Sequence, residues 1–450
     1  MADFFKRFGD DNIIELVNNL TATSFTNLEC CSTELQSRLR PLTTYLLKLR
    51  LQQYLWLTGD NWNTTQWINH YIHLRLQRHP PCMFVVGGSS NRNNHDSEQW
   101  LKSCEYIDCS TTHTGETKED GGTHLPPNEL SVARDACAIT RHPETHTLYV
   151  SGGWDGETCH SSIESLTSTS REWVVSAQQT LIEPRCFHAA VYDREHGHLL
   201  MGGSSNLFQG AVVSRTMEQH LHTTSPGSAS SPRLITDMLH KRAGHLASLN
   251  PLTRDIVVCG GYGGETVYHD TVEVLCLNNG MDSAFQALPT MSTKKTGAGG
   301  GFGPGGCMWV CGGSTNGSDG LTRVERLDLR MKKWETMAPL TQGRGYCSAA
   351  WSADGRLYCA GGSVLRENQM LHNGTLHTFN VQETWDTIEV FDPRKGGEWV
   401  VLGRNLMVER ADLCLTSRLT TSRVAVDAIL RRENPVVDVW QSRRMRTLST

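Results

Sequence analysis

Five arginines, Arg134, Arg185, Arg242, Arg344 and Arg410, recur in one register of a repeating pattern in this 450-residue chain. A guanidinium offers a planar fork of donors that grips a carboxylate or a phosphate through two parallel hydrogen bonds. If the repeats close into a ring, these groups stand near its central opening and could hold an acidic or phosphorylated segment. The competing reading is structural, each arginine tying one repeat to the next. A sixth, Arg366, lies in the segment 363–384 with His372, His377 and Phe379, just ahead of Trp385. That mixture of basic and aromatic groups suits a recognition loop on a rigid scaffold.

Covalent or metal chemistry is harder to place. Cys104 with Cys109, and Cys307 with Cys311, lack the paired CxxC spacing of a zinc framework. His220, His222, His240 and His245 are not spaced as helical metal ligands, and they read as surface or capping groups. The glycine-dense stretch 297–306 lacks the Lys-Ser/Thr that completes a phosphate loop, and it reads as a turn between strands. No Gly-x-Ser-x-Gly nucleophile elbow is present. The expectation is a protein that is not an enzyme, with no catalytic residue, no metal and no cofactor.

Composition narrows the partners. The formal net charge is −5, and charged residues make up 20% of the chain with neither sign dominant. Phosphate neutralisation on nucleic acid ordinarily needs a basic excess, so a nucleic-acid partner is not expected. No apolar run reaches membrane-spanning length and no export signal opens the chain, so no membrane role is expected. Fifteen cysteines, an odd number, several inside apolar runs, fit a reduced protein of the cytoplasm or nucleus.

The positioning elements follow from the glycines. Six apolar segments end in a glycine pair, whose first members are Gly87, Gly152, Gly202, Gly260, Gly312 and Gly361. The step is close to fifty residues. Each repeat reads as four strands: an Arg-led strand, as at 185–191, then the Gly-Gly strand. A third follows, such as Val324 to Asp328, Val272 to Leu275 or Ile388 to Asp392. A fourth opens at Trp173, Phe285, Trp334 or Trp399. Strands this apolar are buried on both faces, as stacked blades require. The pattern resembles the kelch repeat, with Phe285 standing where the family usually has Trp. It implies a mainly β, kelch-type β-propeller over 61–450. Seven blades are slightly preferred, with His70 to Gln77 as an opening strand and 410–449 as a degenerate last blade. In the alternative, Ala411 to Leu415 closes six blades and the tail is an extra. Long insertions are expected at 110–131, 204–237 and 363–384.

Residues 1–60 differ. Ile13, Leu16, Val17 and Leu20 share one helical face behind the acidic cap of Asp10 and Asp11, and Phe25 and Leu28 begin a second short helix. Three short helices here cannot bury all their apolar faces on one another. The run 8–55 resembles an F-box, although Phe8 and Gly9 replace the usual Leu-Pro, and Thr33 and Leu35 the usual Lys and aromatic. The resemblance implies docking of Phe8, Ile13, Ile14, Leu16, Val17, Leu20, Phe25 and Leu28 onto a Skp-type adaptor of a cullin–RING ubiquitin ligase. The propeller would then hold a target protein. The alternatives are a kelch interaction scaffold whose helices only cap the propeller, and a carbohydrate-active kelch enzyme.

Overall fold

The computed structural model describes residues 82–90, 100–108, 129–167, 172–206, 212–221 and 231–418, apart from single positions or pairs at 144, 146, 252, 282, 304–305, 353–354, 373–374, 394, 396 and 404. The chain divides into two compact units, 1–80 and 81–450. All described residues belong to the second. The adaptor-docking candidates from Phe8 to Leu28, and the strand proposed at His70 to Gln77, lie outside them.

Among the described residues there are six antiparallel blade sheets. The first is Ala138–Arg141, Leu148–Ser151, Ser162–Leu166 and Val174–Thr180. The second is Ala189–Asp193, Gly197–Met201, Thr216–His220 and Arg233–Asp237. The third is Leu246–Leu249, Asp255–Cys259, Val272–Cys276 and Gln286–Leu288. The fourth is Gly299–Phe302, Met308–Cys311, Val324–Asp328 and Lys333–Thr336. The fifth is Ser348–Trp351, Leu357–Ala360, Ile388–Phe391 and Trp399–Val401. In each, neighbours in sequence are neighbours in the sheet.

The sixth blade closes the ring. Cys414–Arg418, Cys82–Val86 and Cys104–Asp108 form one sheet, with Val86 opposite Cys414 and Cys82 opposite Arg418. The strand from the C-terminal side therefore takes the first-strand place in the blade begun by Cys82–Val86. This corrects the preference for seven blades. The edge of Cys82–Val86 that an opening strand at His70 to Gln77 would need is already paired, and such pairing removes an exposed edge. First strands pack on first strands around the whole ring.

Second strands are the best buried. Met83, Phe84, Leu199, Leu200, Ile256, Val257, Leu357 and Tyr358 are fully shielded, as expected of strands covered on both faces. Trp173, Phe285 and Trp399 are buried beside them. Other expectations need amendment. The segment 299–302 is the inner strand of the fourth blade, not a turn. A Cβ at Gly299 would collide with the backbone of Ala349 in the next inner strand, so the glycines let two strands approach closely. The stretch 204–237 is no single insertion, because it contains the third and fourth strands of the second blade. The stretch 363–384 is the expected insertion, lying between the second and third strands of the fifth blade, and it forms a hairpin of two ten-residue strands, Ser363–His372 and Thr375–Thr384. His220 and His245 are buried, so they are not surface groups. Among the described residues no helix is long and apolar enough to cross a membrane.

Candidate interaction face

The five arginines do not line an opening. Each precedes its first strand, and its side chain turns into its own blade. Arg134, Arg242, Arg344 and Arg410 are 0% exposed and Arg185 is 3% exposed. One guanidinium nitrogen donates to the carbonyl of the first glycine of the pair. Arg134 reaches Gly152 at 2.8 Å, Arg185 reaches Gly202 at 2.9 Å, Arg344 reaches Gly361 at 2.7 Å and Arg410 reaches Gly87 at 2.9 Å. The rest of the fork faces a buried glutamate on the third strand: Glu164 for Arg134, Glu218 for Arg185, Glu273 for Arg242, Glu389 for Arg344 and Glu105 for Arg410.

The fourth blade uses Lys295 in the same place, its Nζ 2.8 Å from Glu325 Oε2. The glutamates also accept backbone N–H groups from the loops that enter the blades. Ser131 donates to Glu164 at 2.9 Å, Leu239 to Glu273 at 2.6 Å and Met407 to Glu105 at 2.7 Å. Six buried carboxylates thus face six buried cations, as charges removed from water require, most pairs within 3 Å and the Arg185–Glu218 pair looser at 3.7 Å. This corrects the expectation that Arg134, Arg185, Arg242, Arg344 and Arg410 offer themselves to a target: their forks are occupied and shielded. Of the six arginines named from the sequence, Arg366 alone is on the surface, its side chain 60% exposed and its Nε 2.6 Å from Glu383.

The same cations link blade to blade through their backbone. The second glycine of each pair donates to the carbonyl of the Arg or Lys that opens the next blade: Gly88 to Arg134, Gly153 to Arg185, Gly203 to Arg242, Gly261 to Lys295, Gly313 to Arg344 and Gly362 to Arg410, all at 2.6–3.0 Å. The circle has no gap. Gly152 shows why glycine is needed. Its φ is 59°, and a Cβ there would run into the Arg185 carbonyl and the His188 ring.

Two residues beyond each cation lies a left-handed residue: Ala136, Phe187, Gly244, Gly297, Tyr346 and Asp412. Their amides and carbonyls chain around the central opening. Phe187 donates to Ala136 at 2.8 Å, Gly244 to Phe187 at 2.7 Å, Gly297 to Gly244 at 2.8 Å, Asp412 to Tyr346 at 2.9 Å and Ala136 to Asp412 at 3.1 Å. Phe187 and Tyr346 come from opposite blades, and their rings meet edge to face with centroids 6.2 Å apart. They meet over the opening, while Gly244 and Gly297 leave them room.

Asp412 and Asp135 stand on the other side. Burial pushes the Asp135 carboxyl up to about 7, against a hydrogen bond from Ser89. Burial and then the neighbouring Asp135 raise Asp412 as well.

The loops around this plug form one face. The residue after each glycine pair bridges the residue after each cation, as in Trp154 with Asp135, Ser204 with Cys186 and Tyr262 with Ala243. The connections between second and third strands and those between blades therefore emerge side by side. Val212, Val267 and Leu365 on the former, and Ile182, Leu239 and Met407 on the latter, are exposed apolar side chains. The Ser363–Thr384 hairpin rises from the same face. At its base the Arg366 guanidinium lies 5.7 Å from the centre of the Trp385 ring, and the Trp385 indole donates to the Gly343 carbonyl at 3.2 Å. A pocket opens beside the second blade between Pro184, Val212, Val213 and the Arg215–Asp237 ion pair.

Comparison with known proteins agrees with the repeat. A Kelch motif matches residues 303–341, which span the fourth blade from the end of its first strand to the loop after its last. No curated protein matches the chain. Among solved structures, that of YjhT is similar at 15% identity with a TM-score of 0.49, over 62% of this chain and 86% of that one.

Proposed function

With its six closed blades and kelch pattern the chain is a kelch-type β-propeller, and we propose that it is the target-recognition subunit of a cullin–RING ubiquitin ligase. In this reading the helices of 8–55 dock onto a Skp-type adaptor through Phe8, Ile13, Ile14, Leu16, Val17, Leu20, Phe25 and Leu28. The propeller captures the target protein, and the subunit itself makes and breaks no covalent bond in that target. The F-box-like pattern of those residues supports the first half.

The loop face carries the second half. Its recurring cations are spent inside the blades, and what projects outward is a long hairpin, exposed apolar side chains and an arginine stacked on a tryptophan. Such a surface suits a folded or extended protein segment with an apolar anchor. An acidic or phosphorylated target loses its five-arginine basis; Arg366 alone would still favour one.

Purified full chain mixed with purified Skp-type adaptor tests the reading. Co-elution that Leu16→Asp with Val17→Asp abolishes is the expected result. A folded full chain that elutes apart from the adaptor would leave a kelch interaction scaffold.

A further inference from the structure

Outside the blade cores two thiols face each other on the interaction face. Cys159 lies in the loop after the glycine pair of the first blade, bridged to Trp154. Cys186 follows Arg185 at the entrance to the second blade. Their sulfurs are 3.1 Å apart although the residues are 27 positions apart in sequence. Both thiols also point at one acceptor, the Ser204 carbonyl, at 3.5 Å from Cys159 Sγ and 3.4 Å from Cys186 Sγ. Both are free cysteines, Cys186 buried and Cys159 partly open to solvent.

We propose that Cys159 and Cys186 form a reversible disulfide that staples the first blade to the second on the interaction face. The sulfurs need approach by only about 1 Å to reach a bonding distance of about 2.05 Å. The roles follow from exposure. Cys159 is the sulfur an oxidant can reach, and Cys186 is the resolving thiol held behind it. Contact with the Cys186 sulfur lowers the Cys159 thiol pKa against its partial burial, which favours thiolate at the outer position.

With hydrogen peroxide as oxidant, the Cys159 thiolate attacks one peroxide oxygen and the O–O bond breaks. An S–O bond forms, and the leaving hydroxide takes a proton to become water. The Cys186 sulfur then attacks Cys159. The S–O bond breaks, the S–S bond forms, and the second hydroxide leaves as water with the Cys186 proton. Two thiols lose two electrons and the peroxide gains them. A dithiol reverses the step by exchange.

The protein carries its own control. Cys137 and Cys414 also lie close, at 3.6 Å, yet both are buried in the core between the sixth and first blades. The site is independent of the N-terminal helices, so it stands or falls apart from the ligase reading.

The test is to treat the full native chain with micromolar hydrogen peroxide and map linked peptides by mass spectrometry, with and without a dithiol. The expected product is a Cys159–Cys186 link, two fewer alkylatable thiols and reversal by the dithiol, while Cys137 and Cys414 stay reduced. Cys186→Ser should leave Cys159 as a sulfenic acid that dimedone traps. Cys159→Ser should abolish both products. Equal unfolding midpoints for the reduced variants and the reduced wild type will show that they fold. No link at doses that oxidise other thiols, or dimedone labelling of Cys159 in the wild type with no transfer to Cys186, overturns the proposal.

Discussion

Arg344 and Glu389 meet with Nε 2.9 Å from Oε1, and neither side chain reaches solvent. Arg344 sits in the loop entering the fifth blade, and Glu389 sits on that blade's third strand. The same guanidinium holds the Gly361 and Thr387 carbonyls, at 2.7 and 3.0 Å. One side chain thus fixes the loop, the glycine turn and the third strand. Removing one member of such a pair strands a buried charge, at a cost of about 3–5 kcal/mol. Arg344→Met should lower the denaturant midpoint strongly, and adding Glu389→Met should recover a large part of the loss. A single change that left the midpoint unmoved would show that the pair does not brace the blade.

The glycine pairs make a sharper steric prediction. Gly152→Ala places a methyl against the Arg185 carbonyl at positive φ, whereas Gly280, also at positive φ, has nothing within 4 Å of its would-be Cβ. Gly280→Ala should cost only the backbone strain, about 1–3 kcal/mol for an L residue at φ 94° and ψ 156°. Gly152→Ala should cost well beyond that and should reduce the yield of folded protein. Parallel chemical denaturation of the two variants checks the contrast.

Asp135 gives a pH prediction. Burial raises its carboxyl to about 7 in the folded chain, while an unfolded chain releases that proton near pH 3.9. Between these values the native state keeps a proton that the unfolded state has lost. The contribution of Asp135 is therefore fully present below about pH 4 and falls as pH rises through 7. Asp135→Asn should remove this slope, so the variant gains on wild type between pH 5 and pH 8. The gain is of order 2–3 kcal/mol. Unfolding curves at the two pH values measure it, and an equal difference at both would contradict the assignment.

The exposed face should tolerate change. The Arg366–Glu383 pair is open to solvent, and such pairs contribute about 0–1 kcal/mol. Leu365→Asp with Arg366→Glu should leave the unfolding midpoint nearly unchanged and weaken capture of whatever protein the propeller holds, by about tenfold or more. Quantitative capture from lysate by wild type and variant, each checked for folding, measures that loss.

Much of the architecture was legible in the repeat. Val324 to Asp328 is a third strand from end to end, and Trp173, Phe285, Trp334 and Trp399 each stand at or beside a fourth strand. Period and apolar content are local properties, and they survive in one sequence. Blade number was less legible because closure pairs Cys82–Val86 with Cys414–Arg418, far apart in the chain and without a glycine pair on the later strand.

The structural reading of the arginines, tying one repeat to the next, is the one the fold takes, but their carboxylate partners were not legible for a related reason. Arg134 and Glu164 are thirty positions apart in sequence, and Arg410 and Glu105 more than three hundred. A clue was present. Every third strand carries Glu at its second or third residue, in Cys104–Asp108, Ser162–Leu166, Thr216–His220, Val272–Cys276, Val324–Asp328 and Ile388–Phe391. An acid repeated inside buried strands demands a buried cation. That reasoning would also have found Lys295. The Phe187–Tyr346 contact and the Cys159–Cys186 contact carry no repeat signature, and only the closed ring brings them together.

The most direct test of the central claim is affinity capture from cells, followed by quantitative mass spectrometry. Three baits are compared: the wild-type chain, Leu16→Asp with Val17→Asp, and Leu365→Asp with Arg366→Glu. The account predicts that wild type brings down a Skp-type adaptor, a cullin and further proteins. The first variant should lose the adaptor and the cullin and keep the others. The second should keep the adaptor and lose others. A folded wild-type chain that captures no adaptor, or a first variant that captures it undiminished, would contradict the account.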